Sequence, residues 1–233
     1  MNIFFKRIPR FLRKPTLAKL CGIFLVLFLI FPLFSCNKSV RYFDYVSELR
    51  SNIFLAEAEG FSLRIYSVVK ESPYATDGIP QETYTRTEVY LVAPQGNATC
   101  NLTFTANGQE YGGEMSFDNV KMEYSLSCAL DTSSCTTLPC RISYGSQELE
   151  LTANSVLTEQ TLTPQAVLQN LQTEEAELFS SMTDKYGFTG EIYIRLIFED
   201  SPYYYVGIID RDGGIHAFLI NAETGKILAK RQP

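Results

Sequence analysis

Apolar and polar residues alternate along much of the chain after residue 45, which is the pattern of half-buried β-strands. After the Glu59-Gly60 turn, for example, Phe61, Leu63 and Ile65 alternate with polar or amphipathic side chains. Turns that contain Gly, Pro or Asn separate such runs at regular spacing. The pattern predicts strands at residues 50–57, 61–70, 85–93, 98–106, 119–128, 138–144 and 147–153.

Short strands at this spacing predict a mainly β protein. Its N-terminal domain, residues 45–158, is expected to be a β-sandwich, with an immunoglobulin-like arrangement as one form. The composition agrees, because the chain has 14 Tyr, 16 Phe and no Trp, and many Thr, Val and Ile in short runs. The spacing does not fix the order of the strands in the sheet.

The periodicity changes at Thr163. Thr163 can cap a helix, Pro164 is favoured at its first position, and apolar residues then recur mainly at helical spacing. This pattern predicts one amphipathic helix that ends before Gly187. A C-terminal α+β domain, residues 163–233, is therefore expected, with the domain boundary near residues 155–160. Its antiparallel sheet is predicted at residues 191–199, 203–210, 215–221 and 226–230.

The N-terminal segment has a different pattern. Residues 1–35 contain six basic residues and no acid, and residues 20–35 are apolar apart from one Gly and the final Ser. A basic start, a short apolar core and a small residue before the cleavage site are typical of a secretory signal peptide. The sequence Leu33-Phe34-Ser35-Cys36 resembles the lipobox of bacterial lipoproteins, although Phe34 stands where a small residue is usual.

The lipobox resemblance implies that residues 1–35 are removed, that Cys36 carries a diacylglyceryl thioether and that the new N-terminus is acylated. Residues 36–44 are then a tether on the extracytoplasmic face of the cell membrane. The alternative is an uncleaved single-pass anchor. Residues 20–35 number only 16, fewer than the ~20 that a spanning helix needs, and Pro32 interrupts them.

The charge limits the partners of the protein. Six of the 20 basic residues and none of the 26 acidic residues lie in residues 1–35, so residues 36–233 have a net charge of −12. This excess of acid argues against nucleic acid as a partner, because phosphate binding needs a basic face. It also argues against adsorption on an anionic membrane surface, so the membrane is expected to be contacted through the lipid on Cys36.

Four cysteines follow the lipobox, Cys100, Cys128, Cys135 and Cys140. An even number of cysteines outside the cytosol predicts two disulfides, and three connectivities are open. Cys100–Cys128 with Cys135–Cys140 is slightly preferred, because the second pair closes a short loop. Free thiols are the alternative in a cell that lacks an oxidising system. A metal site is not expected, because no Cys-x-x-Cys pair occurs and the only histidine, His216, is far away in sequence.

A short motif near the C-terminus indicates a family. It consists of residues 205–210, the Asp212-Gly213 turn and residues 220–228, Ile-Asn-Ala-Glu-Thr-Gly-Lys-Ile-Leu. With the helix before it, this segment resembles a PepSY domain, although Asn221 stands where that family usually has Asp and no second repeat is visible. PepSY domains accompany secreted peptidases or occur in cell-envelope regulators. The resemblance therefore implies a protein that binds or restrains a partner. The whole mature chain is also similar in style to uncharacterised lipoproteins of Gram-positive bacteria.

Candidates for catalysis are weak. His216 has no Gly-x-Ser-x-Gly elbow to support a catalytic triad. The sequence Asp210-Arg211-Asp212-Gly213 has the alternate carboxylates of a calcium loop but lacks the other ligands, so a hairpin turn explains it better. We therefore predict no catalytic residue, no cofactor and no metal. The alternatives are an envelope hydrolase with unidentified carboxylates and a purely structural envelope lipoprotein.

Tyr203, Tyr204 and Tyr205 are the candidate partner-binding residues. Alternation places Tyr203 and Tyr205 on one face of the sheet and Tyr204 on the other. Tyr is enriched where proteins bind partners, whereas the alternative is aromatic packing that only stabilises the sheet. We expect a peptide or protein partner in the cell envelope, bound at this face or at an exposed strand edge.

Overall fold

The computed structural model describes residues 40–75, 77–94 and 98–233, and the signal-peptide and Cys36 predictions lie outside these ranges. The described residues are mainly β-strand, as predicted. Among them, no helix combines the length and the apolar character that crossing a membrane requires. A single 3₁₀ turn, Tyr42–Tyr45, leads into the first strand.

Nine strands of the described ranges precede the helices: β1 (Val46–Ala58), β2 (Phe61–Glu71), β3 (Thr83–Val92), β4 (Cys100–Ala106), β5 (Gln109–Glu114), β6 (Ser116–Asp118), β7 (Glu123–Cys128), β8 (Thr137–Tyr144) and β9 (Gln147–Ser155). The seven predicted strands correspond to β1–β4 and β7–β9. The sequence pattern does not predict β5 and β6, because Gly112 and Gly113 interrupt any alternation there.

Two tight turns set the register of the hairpins. Glu59 and Gly60 join β1 to β2 with φ values of 51° and 83°, and Asn107 and Gly108 join β4 to β5 with 51° and 76°. A two-residue hairpin loop of type I′ requires a positive φ at both of its loop residues. The predicted turns are therefore confirmed in their backbone geometry.

The sheet is organised on β1. One edge of β1 pairs with β2 from Glu48 to Ala58, and the sheet continues from β2 through β3 and β7 to β6. The other edge of β1 pairs with β9, from which the sheet continues through β8 and β4 to β5. Because Met115 alone separates β5 from β6, the two series of strands meet and the sheet is nearly closed.

The first hydrophobic core lies inside this part of the sheet. It is formed by inward-facing side chains of strands on both sides, and most of them are almost fully buried. The largest members that are less than 2% exposed are Phe54, Leu63, Ile65, Leu91, Leu102, Phe104, Tyr124, Leu138 and Ile142.

The C-terminal part contains helices α1 (Pro164–Glu174) and α2 (Ala176–Ser181), a small hairpin of β10 (Thr183–Asp184) and β11 (Gly187–Phe188), and strands β12 (Glu191–Phe198), β13 (Pro202–Ile209), β14 (Ile215–Asn221) and β15 (Ile227–Arg231). These four last strands confirm the prediction to within two residues. Strands β12 to β15 pair in chain order and are antiparallel.

The helical segment differs from the prediction of one helix. Thr163 caps α1 as expected, since its Oγ1 accepts a hydrogen bond from the Ala166 amide at 3.2 Å, and Pro164 is at the first position. However, Glu175 leaves the helical conformation, with φ −112° and ψ 39°, and divides the segment into two helices. The gap in the apolar pattern at residues 173–175 marks this break.

The helices pack on one face of β12–β14 and form a second core. Strand β1 joins this core to the first, because Ile53 packs in the second core and Phe54 in the first. The N-terminal half of β1 pairs in parallel with β12, with Val46 opposite Ile192 and Arg50 opposite Arg195. The C-terminal strands are therefore part of the same sheet as β1–β9.

The cysteines differ from the expectation of two disulfides. Cys100, Cys128, Cys135 and Cys140 are free thiols in this structure, with none at disulfide distance of another. Cys100 and Cys140 are buried in the first core, where burial raises the pKa of Cys100 to about 11 and that of Cys140 to about 12. An even number of cysteines in the sequence does not tell which side of the sheet each cysteine faces.

Candidate functional site: a tyrosine–arginine face on the sheet

The predicted tyrosine patch lies on β13 and is divided between two faces. Tyr204 is 1% exposed and points toward the second core, where its hydroxyl donates to the Leu162 carbonyl at 3.0 Å. Tyr203 and Tyr205 lie on the opposite face and are partly exposed. The structure therefore brings two of the three predicted tyrosines to one surface and makes Tyr204 a core residue.

Tyr205 belongs to a larger set of aromatic and cationic side chains. On the neighbouring strand β12, Tyr193 and Arg195 alternate with core residues and lie on the same face as Tyr205. On β1, Arg50 is the register partner of Arg195. We call Arg50, Tyr193, Arg195 and Tyr205, together with the Tyr66 ring that Arg50 covers, the tyrosine–arginine face.

Ring and cation contacts join these side chains into two groups. The Tyr193 and Tyr205 rings are 5.8 Å apart between centroids, and the Arg195 guanidinium carbon lies 4.7 Å from the centroid of the Tyr193 ring. The Arg50 guanidinium carbon lies 4.2 Å from the centroid of the Tyr66 ring. A cation over an aromatic ring is attracted by the negative face of the ring. This attraction holds the long Arg side chain in one orientation.

Gly207 provides the space for Tyr193. The two residues are opposite each other on β12 and β13. A Cβ atom at Gly207 would be 1.9 Å from Cζ of Tyr193, so the ring lies directly over the glycine. Burial, followed by the hydrogen bond with Tyr205, raises the pKa of Tyr193 to about 12, so its phenol is neutral at physiological pH.

Glu48 fixes Arg195 from the other strand. Arg195 donates from Nε to Oε1 of Glu48 at 2.9 Å and from Nη2 to Oε2 at 2.5 Å, and Nη2 also donates to the Tyr74 hydroxyl at 3.2 Å. Burial alone would raise the pKa of Glu48, but the hydrogen bonds and charge of Arg195 lower it overall. The pair is a bidentate ion pair in which the cation is already neutralised.

Arg50 is the cation of the face that lacks a carboxylate partner. The neighbouring charges are paired, Lys70 with Glu88 and Arg64 with Glu123. Among the described residues Arg50 forms no ion pair, and its buried Nε has no hydrogen-bond acceptor. Its guanidinium can therefore donate hydrogen bonds to a carboxylate of a partner without breaking an internal ion pair.

Residues 72–75 and 77–82 lie in a loop that contacts one end of the face, and we call these residues the strap. Residue 76 is not described. Tyr74 contacts Arg195, and the Gly78 amide donates to Oε2 of Glu191 at 2.9 Å. Gly78 has φ 78°, and a Cβ there would be 2.6 Å from the Asp210 carbonyl oxygen, so this close approach requires glycine.

Buried carboxylates hold the strap. Glu191 is 0% exposed and accepts hydrogen bonds from the Ser47 hydroxyl and the Gly78 amide. Glu71 is 1% exposed and accepts from the Gln81 amide at 2.5 Å, while its Oε2 has no partner. Burial raises the pKa of Glu191, and repulsion by Glu71 and Asp77 adds to the effect. These acids face backbone amides of the strap.

The structure also places His216 and Asp210, the other candidate residues from the sequence. His216 lies on β14 opposite Ile208 and is partly buried. Asp210 accepts hydrogen bonds at Oδ1 from the Asp212 and Gly214 amides, as in a hairpin turn. Across the described residues, no three His, Cys, Asp or Glu side chains come together as metal ligands would.

Sequence reasoning missed Glu48, Arg50, Arg195 and Glu191. A signal was present at Arg195, because it is a charged residue between the apolar residues of β12. Such a residue needs a partner or a face open to solvent, since burial of a lone charge is costly. The sequence does not show which charges are brought together, because the partners are far apart in the chain.

The chain was also compared with known proteins. It matches no protein-family model, and no curated protein sequence is significantly similar to it.

Proposed function

We propose that this protein is a lipid-anchored cell-envelope protein that binds a peptide or protein partner and catalyses no reaction. Cys36 would carry the lipid on the extracytoplasmic face of the membrane. The basic, apolar and lipobox-like order of residues 1–36 supports this location, and the acidic charge of the remainder supports attachment by lipid and not by basic patches.

The observation that carries the binding role is the tyrosine–arginine face. Tyr and Arg are the residue types that most often dominate binding energy at protein interfaces. Here they are held on strands by mutual contacts, so binding would cost little side-chain entropy. Arg50, which forms no ion pair with a described residue, would pair with an acidic group of the partner.

We further propose that residues 45–158 act as a sandwich-like support and that residues 163–233 act as a PepSY-like module. In this arrangement the tether, residues 36–44, would hold both at the membrane surface. A secreted peptidase is the partner class that the PepSY-like motif implies. The parallel pairing of β1 with β12 supports a rigid connection between support and module.

The anchor is tested by the substitution Cys36→Ser in the producing cell. Metabolic labelling with an alkyne fatty acid should label the wild-type protein and not the variant, and the variant should keep residues 1–35. Intact mass of the purified protein is the readout. A variant that is labelled and processed as the wild type would exclude the lipobox.

The binding face is tested by capture from envelope extracts with the full chain. We expect the double variant Arg50→Ala with Tyr205→Ala to recover at least tenfold less partner than the wild type, measured by quantitative mass spectrometry. Lys185→Ala with Tyr186→Ala is a matched control, because Lys185 lies 4.7 Å over the ring of Tyr186, which is 83% exposed elsewhere on the surface. Equal recovery by both double variants would refute a role for the face.

A further inference from the structure

One edge of β1 changes partner along its length. Residues 46–50 pair with β12 on this edge, whereas Phe54 and Leu55 pair with Ser155 and Asn154 of β9. Beyond Leu55, residues 56–58 have no strand partner on this edge among the described residues. Strand β9 likewise pairs with β8 from Gln147 to Asn154 but with β1 only at these two positions. Two strand edges therefore diverge from one junction.

A groove of about 660 Å³ lies where the two edges diverge. We call it the β1–β9 groove. Leu55 and Glu57 of β1, Thr152 and Asn154 of β9, and Phe198 and Glu199 at the end of β12 are among its lining residues. Phe198 is 36% exposed, which is unusual for a Phe, and offers an apolar contact at the mouth of the groove.

The charges of the groove are predominantly negative. Glu57 and Glu199 are exposed, and neither forms an ion pair with a described residue. Arg64, the basic residue of the lining, is already paired with Glu123 at 2.8 Å. A ligand with basic side chains is therefore complementary to the groove, and an acidic ligand is repelled.

The edge of β9 also lacks the usual protection against strand pairing. Native sheets blunt their open edges with Lys or Pro, and the outermost strand β15 ends in Lys230 and Arg231. Strand β9, Gln-Glu-Leu-Glu-Leu-Thr-Ala-Asn-Ser, contains no Lys, Arg or Pro. Its backbone amides and carbonyls toward the groove remain a template for an added strand.

We infer that the β1–β9 groove binds an extended peptide segment whose basic and apolar side chains lie on the same face, two positions apart, because Leu55 and Glu57 share one face of β1. The peptide pairs by backbone hydrogen bonds with the open edge of β9, as in β-strand addition. Its apolar side chains contact Leu55 and Phe198, and its basic side chains pair with Glu57 and Glu199. This site is separate from the tyrosine–arginine face and goes beyond the function proposed for that face.

The inference is tested with three labelled seven-residue peptides and the full chain in detergent. The first, Lys-Thr-Val-Thr-Lys-Thr-Val, carries Lys and Val on one face, the second has Glu in place of both Lys residues, and the third is the first with alternate backbone amides N-methylated on the pairing edge. Fluorescence anisotropy should show binding of the first peptide at least tenfold tighter than either of the others. Equal binding of the first two, or no binding of the first, would overturn the inference. Unchanged binding after N-methylation would overturn strand addition.

Variants distinguish binding in the groove from a general attraction of a basic peptide to an acidic protein. Glu57→Lys with Glu199→Lys should weaken the Lys peptide at least tenfold and favour the Glu peptide. Glu159→Lys with Glu177→Lys changes the net charge equally at exposed positions elsewhere and should leave the preference unchanged. Phe198→Ala should weaken the Lys peptide about tenfold, because a buried aromatic contact is lost. Equal effects of the two charge-reversed pairs would overturn the assignment to the groove.

Discussion

Arg195 donates two hydrogen bonds to Glu48 across the parallel pair of β12 and β1, although the two residues are 147 positions apart in the chain. The carboxylate side chain is 8% exposed and the guanidinium side chain 31%. The pair joins the C-terminal strands to β1 and fixes the centre of the tyrosine–arginine face. Its loss should therefore affect stability and the geometry of the face together.

We expect Arg195→Ala to lower the free energy of unfolding by about 3 kcal/mol, because it leaves the buried Glu48 carboxylate without its cation. The double variant Arg195→Met with Glu48→Gln should recover part of this loss, since no buried charge remains unpaired. Urea unfolding at neutral pH measures both values. A single variant that is as stable as the wild type would contradict the structural role of the pair.

The same pair should make the free energy of unfolding depend on pH in the acidic range. The pKa of Glu48 is lowered in the folded state from an ordinary value of 4.5. Its contribution to stability is therefore fully present above pH 4.5 and is lost as the pH falls through the lower, folded-state pKa. The difference in unfolding free energy between wild type and Glu48→Gln should shrink below pH 4.5. A constant difference down to pH 3 would contradict the lowered pKa.

Glu191 should make the free energy of unfolding depend on pH in the opposite direction. Its pKa is raised in the folded state from 4.5, so its favourable contribution is present below pH 4.5 and is lost as the pH rises through the folded-state pKa. Glu191→Gln keeps an acceptor for the Gly78 amide and removes the repulsion from Glu71. The variant should gain stability relative to the wild type as the pH rises from 4.5 to 8. Glu177→Gln, at an exposed site, is the control and should show no such trend.

Asn52 holds the junction where β1 changes partner. It is 0% exposed, and its Nδ2 donates to the carbonyls of Ser133 and Cys135 at 3.2 and 3.1 Å. Its Oδ1 accepts from the Ser155 hydroxyl at 2.7 Å. Asn52→Leu would leave these buried groups unpaired, and we expect a loss of about 3 kcal/mol in thermal or urea unfolding.

Asn154→Leu is a matched control for Asn52, because Asn154 lies next to the junction and is exposed. We expect a change of less than about 0.5 kcal/mol there. Similar losses in the two variants would show that the buried hydrogen bonds of Asn52 do not decide the stability of the junction.

Gly207→Ala should displace the Tyr193 ring, because the added Cβ would be 1.9 Å from Cζ. We expect a loss of about 1–3 kcal/mol, as for other overpacked sites. Removing the ring in the double variant Gly207→Ala with Tyr193→Ala should make the alanine at 207 nearly neutral relative to Tyr193→Ala alone. A double-mutant cycle in urea measures this coupling, and the absence of coupling would refute the contact.

Much of the fold could be predicted because it depends on local pattern. Period-two alternation placed most of the strands, and the turn residues Glu59-Gly60 and Asn107-Gly108 have the backbone conformation that a tight hairpin needs. The Thr163 cap was also predicted correctly, because capping depends on residues three apart. The division of the helix at Glu175 and the pair β5–β6 escaped prediction, since neither has a strong periodic signal.

The candidate site was predicted only in part. The alternation at residues 203–205 correctly places Tyr204 on the opposite face from its two neighbours. It does not reveal that Tyr205 is close to Tyr193 or that Arg50 of β1 lies beside Arg195 of β12. Alternation tells which face of a strand a side chain occupies but not which strand lies next to it.

The sequence by itself determined the approximate positions of most strands and which of their side chains face a core. Only the tertiary structure decided that β1 pairs with β12 at one end and with β9 at the other. The physical reason is that strand formation follows from neighbouring residues, whereas strand pairing depends on how distant segments together bury their apolar faces and satisfy charges such as Glu48 and Arg195.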